Sequence, residues 1–500
     1  MKAWLMHRDR DFDLAADLPP QADDLALDLD LALLFDAMSL GDRFLRDVAM
    51  KAVLSSLTDA EEILYRQEIL RDSLEHPDVV RELYSLTVET IQGHKRVHGS
   101  FFFARSPESV LARSINVLEF LTGQLRTLHV VAETRGASFR SDGFRRLFAM
   151  LRSELDDAYF EAVREHLGQL RFPSGVFMSA QLGQGCKGDR YVLHRALDGR
   201  RTGWLGRVFG GGRPEYSFEI ADRDESGHQA LAELRGRGVH MVANALAQST
   251  DHILSFFAML RGELGFYVGC LNLHETYTRK GEPTCIPVPM AMGSGALATR
   301  GLYDACLALR VEGRAVGNDL AGDGRMLVVI TGANQGGKST FLRSVGLAFL
   351  MMQCGMFVAA EAFAAALCDG VYTHFKRPED PALQSGKLDE ELRRMSEIAN
   401  LVTPEAVVLF NESFSSTNER EGSEIARQIV QALLDVHVRV LLVTHLFELA
   451  DGFCSQGSDI ALFLRAERLA DGRRTFRLLE GAPLPTSHGE DLYRRIFKVQ

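Results

Sequence analysis

A chain of 500 residues is too long for one ordinary core, so two or three domains are expected. The formal charge of −11 excludes indiscriminate nucleic-acid binding but not a local basic patch, and the apolar runs read as shorter than the roughly 18 residues of a membrane span. The seven cysteines (Cys186, Cys270, Cys285, Cys306, Cys354, Cys368 and Cys454) are odd in number and never form C-x-x-C. That suggests neither a zinc site nor a disulfide framework, and a reduced cytoplasm is the natural setting.

The first thirty residues are acidic (Asp11, Asp13, Asp17, Asp23, Asp24, Asp28, Asp30) and carry Pro19-Pro20, which reads as a loose arm. Met1 to Arg10 has no apolar h-region, so no secretory signal is expected. From Leu31 the apolar spacing becomes helical (Leu33, Leu34, Met38, Phe44, Leu45). Thr58-Asp59-Ala60-Glu61 reads as a capping box opening a further helix. Pro77 sits in the first turn of the next, with Val79, Val80, Leu83 and Leu86 on one face. Ser106-Pro107 opens a long helix to about Glu133, and Ser141 a second of similar length to Leu170. Helices this long belong to bundles, levers or coiled arms.

Residues 172–222 break that rhythm. Short β-like runs (Gly175 to Ala180, Tyr191 to His194, Tyr216 to Ile220) alternate with Gly-rich turns. Lys187, Arg190, Arg195, Arg200, Arg201, Arg207 and Arg213 face only Asp189 and Asp198, with Trp204 among them. This is either a surface for a phosphate backbone or a solvated hairpin with basic turns. Helix returns from Ser226 to about Gly265, and Gly281 to Gly295, with three prolines, reads as a linker.

Beyond it strand and helix alternate. Met326 to Ile330 is a β-branched apolar run, the pattern of a buried parallel strand. Gly332 to Ser339 fits G-x-x-x-x-G-K-[ST], and helix-forming residues follow from Phe341 to Met351. That is the strand–loop–helix setting of a P-loop. Gly332, Gly336 and Gly337 let backbone amides turn toward a polyphosphate, and Asn334 and Thr340 complete the nucleotide-binding loop. Lys338 is expected on the β- and γ-phosphates and Ser339 on Mg²⁺. Ala406 to Phe410 is a second buried strand, with Asn411-Glu412 at its end; Glu412 is the candidate to polarise the attacking water. A third, Val438 to Val443, ends in Thr444-His445, where His445 can reach the γ-phosphate or the water.

Residues 316–450 resemble the MutS family, whose ATPase belongs to the ABC superfamily. Thr331-Gly332-Ala333-Asn334-Gln335-Gly336-Gly337-Lys338-Ser339-Thr340 is close to the family's T-G-P-N-M-G-G-K-S-T. Val316-Gly317-Asn318-Asp319 resembles the loop before its first nucleotide-binding strand. Ser385-Gly386, with Met395-Ser396-Glu397-Ile398-Ala399-Asn400, is similar to its S-G…M-x-E-x-A-N-I segment, and Thr444-His445-Leu446-Phe447-Glu448-Leu449 to T-H-Y-F-E-L. The helical half resembles the family's core and lever region through Leu57-Thr58-Asp59 and the long helices.

The resemblance implies a dimer in which each ATP lies between two subunits. A signature segment of the partner, here Ser415 to Gly422, would complete each site. The chain departs from the pattern twice. Asn411 stands where the family has Asp, keeping an oxygen ligand for Mg²⁺ without its charge. Asn418 stands at the signature serine and can still donate to a phosphate. Core-like helices begin near residue 31, leaving no room for the mismatch-reading and connector domains, and only a helix-sized tail follows Thr475 to Leu479, so no Smr nuclease is expected. Phe410-Asn411-Glu412 spells the mismatch wedge Phe-x-Glu but belongs to a strand.

The expected architecture is multidomain: an acidic arm (1–30), a long-helix core/lever domain (31–285) with a basic β insert, and an α/β P-loop ATPase domain of the ABC type (286–500). The expected protein is a cytoplasmic homodimer using ATP and Mg²⁺ to drive a DNA-binding clamp, without mismatch reading. Two alternatives stand beside it: a nucleotide-gated scaffold with little hydrolysis, favoured by Asn411, and an ABC-type ATPase acting on a protein, favoured by the net acidity.

Overall fold

The computed structural model describes residues 1–99, 107–171, 177–182, 188–194, 225–377, 386–469, 473–484 and 497. In chain order the helices are α1 (Ala22–Asp28), α2 (Leu31–Ser39), α3 (Arg43–Leu54), α4 (Ala60–Glu75), α5 (Pro77–Gly99), α6 (Pro107–Arg135), α7 (Asp142–Glu154) and α8 (Asp157–Leu170). The hairpin strands β1 (Phe177–Leu182) and β2 (Gly188–His194) follow, and then α9 (Glu225–Lys280). The α/β half contains β3 (Val288–Met290), β4 (Leu297–Leu302), α10 (Ala305–Arg310), β5 (Asn318–Ala321), β6 (Leu327–Thr331) and α11 (Lys338–Gln353). It continues with β7 (Ala362–Ala366), β8 (Val371–Phe375), α12 (Lys387–Leu401), β9 (Val407–Asn411), α13 (Glu419–Asp435), β10 (Arg439–Val443), α14 (Phe447–Ser455), β11 (Ala461–Arg468) and β12 (Arg474–Glu480). Long helices with a small β insert, followed by an α/β P-loop half, is the architecture the sequence predicts.

The local signals act where the chemistry puts them, with some shifts. Pro77 and Pro107 are the first helical residues of α5 and α6, positions where the missing N–H costs nothing. The cap of α4 is Asp59, whose carboxylate accepts the Glu61 amide, one residue later than the capping box predicts. The single long helix expected from Ser141 is two, because Asp156 caps α8 by accepting the Tyr159 amide and restarts the turn. Helix α9 runs on past Gly265 to Lys280 and stops at Gly281, in the left-handed region at φ 71°. Within the expected linker, Val288–Met290 pairs with β7 in parallel. The strand expected at Tyr216 to Ile220 lies outside the described residues.

The chain forms two compact units: Met1–Ala3 with Arg81–Arg140 and Phe144–Arg261, and Trp4–Val80 with Ser141–Gly143 and Gly262–Gln500. In the first, Leu118, Leu121, Leu125 and Leu128 of α6 are buried, as are Phe144, Phe148 and Leu151 of α7. Phe139 packs on Phe144 and Phe148 with ring centroids 4.6 and 5.1 Å apart. One apolar stretch within 242–280 of α9 is long enough to cross a membrane, contrary to the reading from sequence, but most of it is buried inside the protein, the behaviour of a core helix.

In the second unit a six-stranded sheet has the order β12-β11-β6-β10-β9-β8. All its strands are parallel except the edge strand β12. A four-stranded sheet, β3-β7-β4-β5, packs beside α11 through β3 and β4 and was not legible as a separate layer. Strands β6, β8 and β10 are buried along their whole length. Such strands lose their period-2 alternation, which is why they read as continuous apolar runs.

The segment read from sequence as a loose acidic arm is packed. Leu5 and Met6 are fully buried. Tyr65 donates to the Trp4 carbonyl at 2.7 Å and Arg66 to the Met6 carbonyl at 2.7 Å. Lys51 caps the carbonyls of Ala16 and Asp17 at 2.8 and 2.9 Å. The acidic residues that suggested a solvated arm instead pair with the α/β half: Asp24 meets Arg377, and Asp28 meets Arg377 and Arg394 at 3.7 and 3.6 Å.

Candidate functional site

Three parallel strands deliver the candidate residues to one edge of the sheet. β6 ends at the glycine-rich loop, β9 at Asn411-Glu412 and β10 at Thr444-His445. Ligands of open α/β sheets bind at this carboxyl edge. β10 lies between β6 and β9, so the strand carrying Glu412 is not the neighbour of the loop strand.

Gly332 and Gly337 take φ values of 110° and 92°, a region that strains any residue with a Cβ. A Cβ on Gly336 would come within 2.8 Å of the Ala466 Cβ on β11. Gly337 opens α11, whose first-turn amides and dipole favour an anion. Lys338 is buried, and its Nζ donates to the carbonyls of Gly332 at 2.8 Å and Ala333 at 3.1 Å. Burial lowers its pKa from the usual lysine value, and the nearby Arg474 acts the same way; Glu412 opposes both.

Ser339 Oγ donates to Oδ1 of Asn411 at 2.7 Å, so the two expected Mg²⁺ ligands touch. Among the described residues no group of three or more His, Cys, Asp or Glu could hold a metal alone. Mg²⁺ needs no such cage: it is commonly held by one or two protein groups plus phosphate oxygens and water, and a hydroxyl beside an amide oxygen fits that pattern. Thr340 is half-buried next to them, and Asn334 is exposed on the loop.

Glu412 and Phe414 are non-glycine residues at φ 55° and 58°. Such conformations cost about 1–3 kcal/mol each and persist where the surroundings over-determine them. Here the Glu412 amide donates to the Val443 carbonyl at 2.9 Å, and Ser415 Oγ returns to the Glu412 carbonyl at 2.8 Å. His445 is exposed at the end of β10. Asn418 is exposed and caps α13: its Oδ1 accepts the Glu421 amide at 3.0 Å, and its Nδ2 donates to the Glu421 carboxylate at 3.1 Å. Gly422 packs against the loop, and a Cβ there would overlap the Phe414 carbonyl oxygen.

Beside the loop lies a cavity of about 480 Å³. Tyr303, Leu307, Val311 and Phe341 give it apolar walls, and Gln335 and Phe476 close one side. Asn318 fixes that side, donating to the Phe476 carbonyl at 3.2 Å and accepting the Leu478 amide at 2.7 Å. Sequence reasoning missed Phe476, since its strand lies far along the chain from the loop; its φ of 60° is the structural signal. It also missed Arg474, which donates to Gln335. Of the basic cluster, Arg190 lies in β2. Lys187, Arg195, Arg200, Arg201, Arg207 and Arg213 lie outside the described residues, as do Trp204 and Ser385.

Residues 58–280 match the MutS2 N-terminal domain and residues 328–472 match MutS domain V. The chain is similar to the DNA mismatch repair protein MutS of Porphyromonas gingivalis, with 32% identity over 176 residues, covering 34% of this chain and 20% of that protein. It is also similar to the endonuclease MutS2 of Thermus thermophilus, with 36% identity over 133 residues (26% of this chain, 18% of that protein). The MutS of Thermus aquaticus is 37% identical over 123 residues (25% and 15%). The matched stretches thus span a fifth or less of each relative.

Proposed function

From a chain that belongs to the MutS family, with a MutS2 N-terminal domain and a MutS domain V ATPase, we propose that ATP is bound and hydrolysed at the edge formed by β6, β9 and β10. The hydrogen bond from Ser339 to Asn411 is the observation that carries this reading, because it joins the glycine-rich loop to the strand end bearing Glu412. The base lies in the cavity between Tyr303, Phe341 and Phe476, and the phosphates lie on the loop amides of Gly332, Gly336 and Gly337, with Asn334 and Thr340 at their flanks. Lys338 exchanges its two carbonyl partners for phosphate oxygens, a charge-assisted pairing stronger than the one it leaves. Ser339 and Asn411 would hold Mg²⁺, which would supply positive charge to offset that of the phosphates. Glu412 orients the attacking water and His445 donates to the γ-phosphate.

A second copy of the chain supplies Asn418 to this site, so closure around ATP assembles a homodimer. The helical unit with its basic insert then grips DNA, and nucleotide state sets the grip. Mismatch reading is not part of the proposal. The neutral Asn411 favours a second reading, in which ATP closes the dimer with little turnover. The acidic net charge supports a protein partner in place of DNA.

Mg²⁺-dependent ATP hydrolysis by the purified chain, with and without duplex or branched DNA, separates these readings, with Glu412→Gln alongside. Turnover stimulated by DNA, falling steeply with salt and lost in Glu412→Gln, supports the DNA-coupled ATPase. Tight ATP binding and dimerisation without turnover leaves the scaffold. Turnover indifferent to DNA points to a protein partner.

A further inference from the structure

The loop from Glu412 to Ser416 is held from behind by side chains of β8 and α12 that no sequence motif marks. His374, the fourth residue of β8, is fully buried. Its Nε2 lies 2.9 Å from the Glu391 carbonyl on α12. A carbonyl only accepts, so Nε2 carries the proton and donates. Ser413 Oγ donates to the His374 carbonyl at 2.6 Å and lies 2.7 Å from Nδ1, which is an acceptor, so its single proton is shared between the two. The imidazole also stacks on Phe414, with centroids 5.1 Å apart and planes 17° from parallel. The Glu391 side chain adds a second tie, since its Oε1 accepts Ser416 Oγ at 2.8 Å. Lys376 adds a third, with its amide on the Asn411 carbonyl and its Nζ on Ser415 Oγ, both at 2.9 Å. Arg394 of α12 donates to the Phe375 carbonyl at 2.9 Å and locks α12 to the end of β8.

Ser413 sits between the two left-handed residues, Glu412 and Phe414. A backbone turned that way relaxes unless its neighbours hold it, and relaxation would swing the Glu412 carboxylate away from its water. We infer that His374 and Glu391 are positioning residues for Glu412: they fix the turn that aims its carboxylate at the γ-phosphate and touch neither nucleotide nor metal. This rests on the reading of Glu412 given above.

The test measures kcat and KM for ATP in the full chain for His374→Ala, His374→Gln, Ser416→Ala and Glu412→Gln. Nucleotide affinity, the melting curve and amide exchange of residues 411–416 are followed in each. His374→Ala is expected to lower kcat on the order of tenfold or more, since small misplacements of catalytic groups carry such penalties. KM and nucleotide affinity should stay within about twofold, because a group acting only in the transition state leaves ground-state binding unchanged. Exchange of 411–416 should quicken. His374→Gln keeps a donor toward the Glu391 carbonyl and is expected to recover most of the rate. Ser416→Ala cuts one tie at a half-buried site, so it reports on the clamp even where His374→Ala fails to fold; it should show a smaller fall in kcat alone. Unaltered kcat in His374→Ala and Ser416→Ala, with Glu412→Gln inactive, overturns the positioning role and spares the role of Glu412. Turnover that survives in Glu412→Gln overturns both.

Discussion

Ser339 and Asn411 meet across a 2.7 Å hydrogen bond, although β6 and β9 are separated in the sheet by β10. The serine supplies a hydroxyl and the asparagine an amide oxygen, so a Mg²⁺ held there, as proposed, would meet two neutral ligands. Asn411→Asp keeps the shape and adds a full negative charge next to the metal. The expected outcome is a Mg²⁺ half-saturation for turnover lower on the order of tenfold, one step of about 1.4 kcal/mol in binding. A Mg²⁺ titration of ATP hydrolysis at fixed ATP checks this. An unchanged midpoint would place the metal away from residue 411.

The glycine-rich loop was legible because its requirements are local. Gly332 and Gly337 are demanded by their own backbone angles and Gly336 by the carbonyl of Ala333 three residues before it, and the flanking strand and helix are contiguous in sequence. His374, Arg474 and Phe476 were not legible, since each acts through a partner more than thirty residues away. The N-terminal segment misled for a related reason. A run of aspartates reads as solvated until Arg377 and Arg394 are brought beside it, more than 300 residues along the chain. Composition reports what a segment prefers in isolation; it does not report which distant charges the fold brings to it.

Asn418 caps α13 and is also the residue proposed to face the phosphate of a second copy. Asn418→Asp separates the two roles. Aspartate caps a helix as well as asparagine but gives up the Nδ2 donor to the Glu421 carboxylate and sets a like charge beside it, so at this exposed site the melting temperature should fall only slightly. A carboxylate turned toward a γ-phosphate repels it, and turnover should fall at least about tenfold if the residue completes the partner's site. Hydrolysis equal to that of the parent chain would leave Asn418 as a cap alone.

Gly422 allows α13 to lie against the Phe414 carbonyl, where a Cβ would overlap it. Gly422→Ala forces either the helix or the loop to move. Overpacking of this kind costs about 1–3 kcal/mol, a drop of a few degrees in melting temperature for a protein of this size. Phe414 belongs to the loop that carries Glu412, so turnover should fall more than stability alone accounts for. Calorimetry and single-turnover hydrolysis on the same sample check the pair of effects. A stable, fully active Gly422→Ala would show that this packing is dispensable.

Glu263 is fully buried on α9, and the Leu5 amide donates to its carboxylate. Burial, reinforced by Asp11, raises its pKa from 4.5 to about 7, against the hydrogen bonds from the amides of Leu5, Phe12 and Met6. Between those two values the folded chain keeps the proton and the unfolded chain has lost it. Stability therefore falls as pH rises through this window and levels off above about 7. At roughly 1.4 kcal/mol per pH unit the loss is about 3 kcal/mol. His7 works in the opposite direction: burial, with Arg66 and Arg10 nearby, lowers its pKa to about 3, so its contribution is lost as pH falls below 6.5. Glu263→Gln mimics the protonated acid at every pH and leaves His7 in place. The variant should melt several degrees above the parent at pH 8 and close to it at pH 5. Melting curves of the two chains at those pH values decide the matter, since the His7 effect cancels in the difference. A variant less stable at both would mean that the carboxylate is ionised in the fold and held by its amide donors.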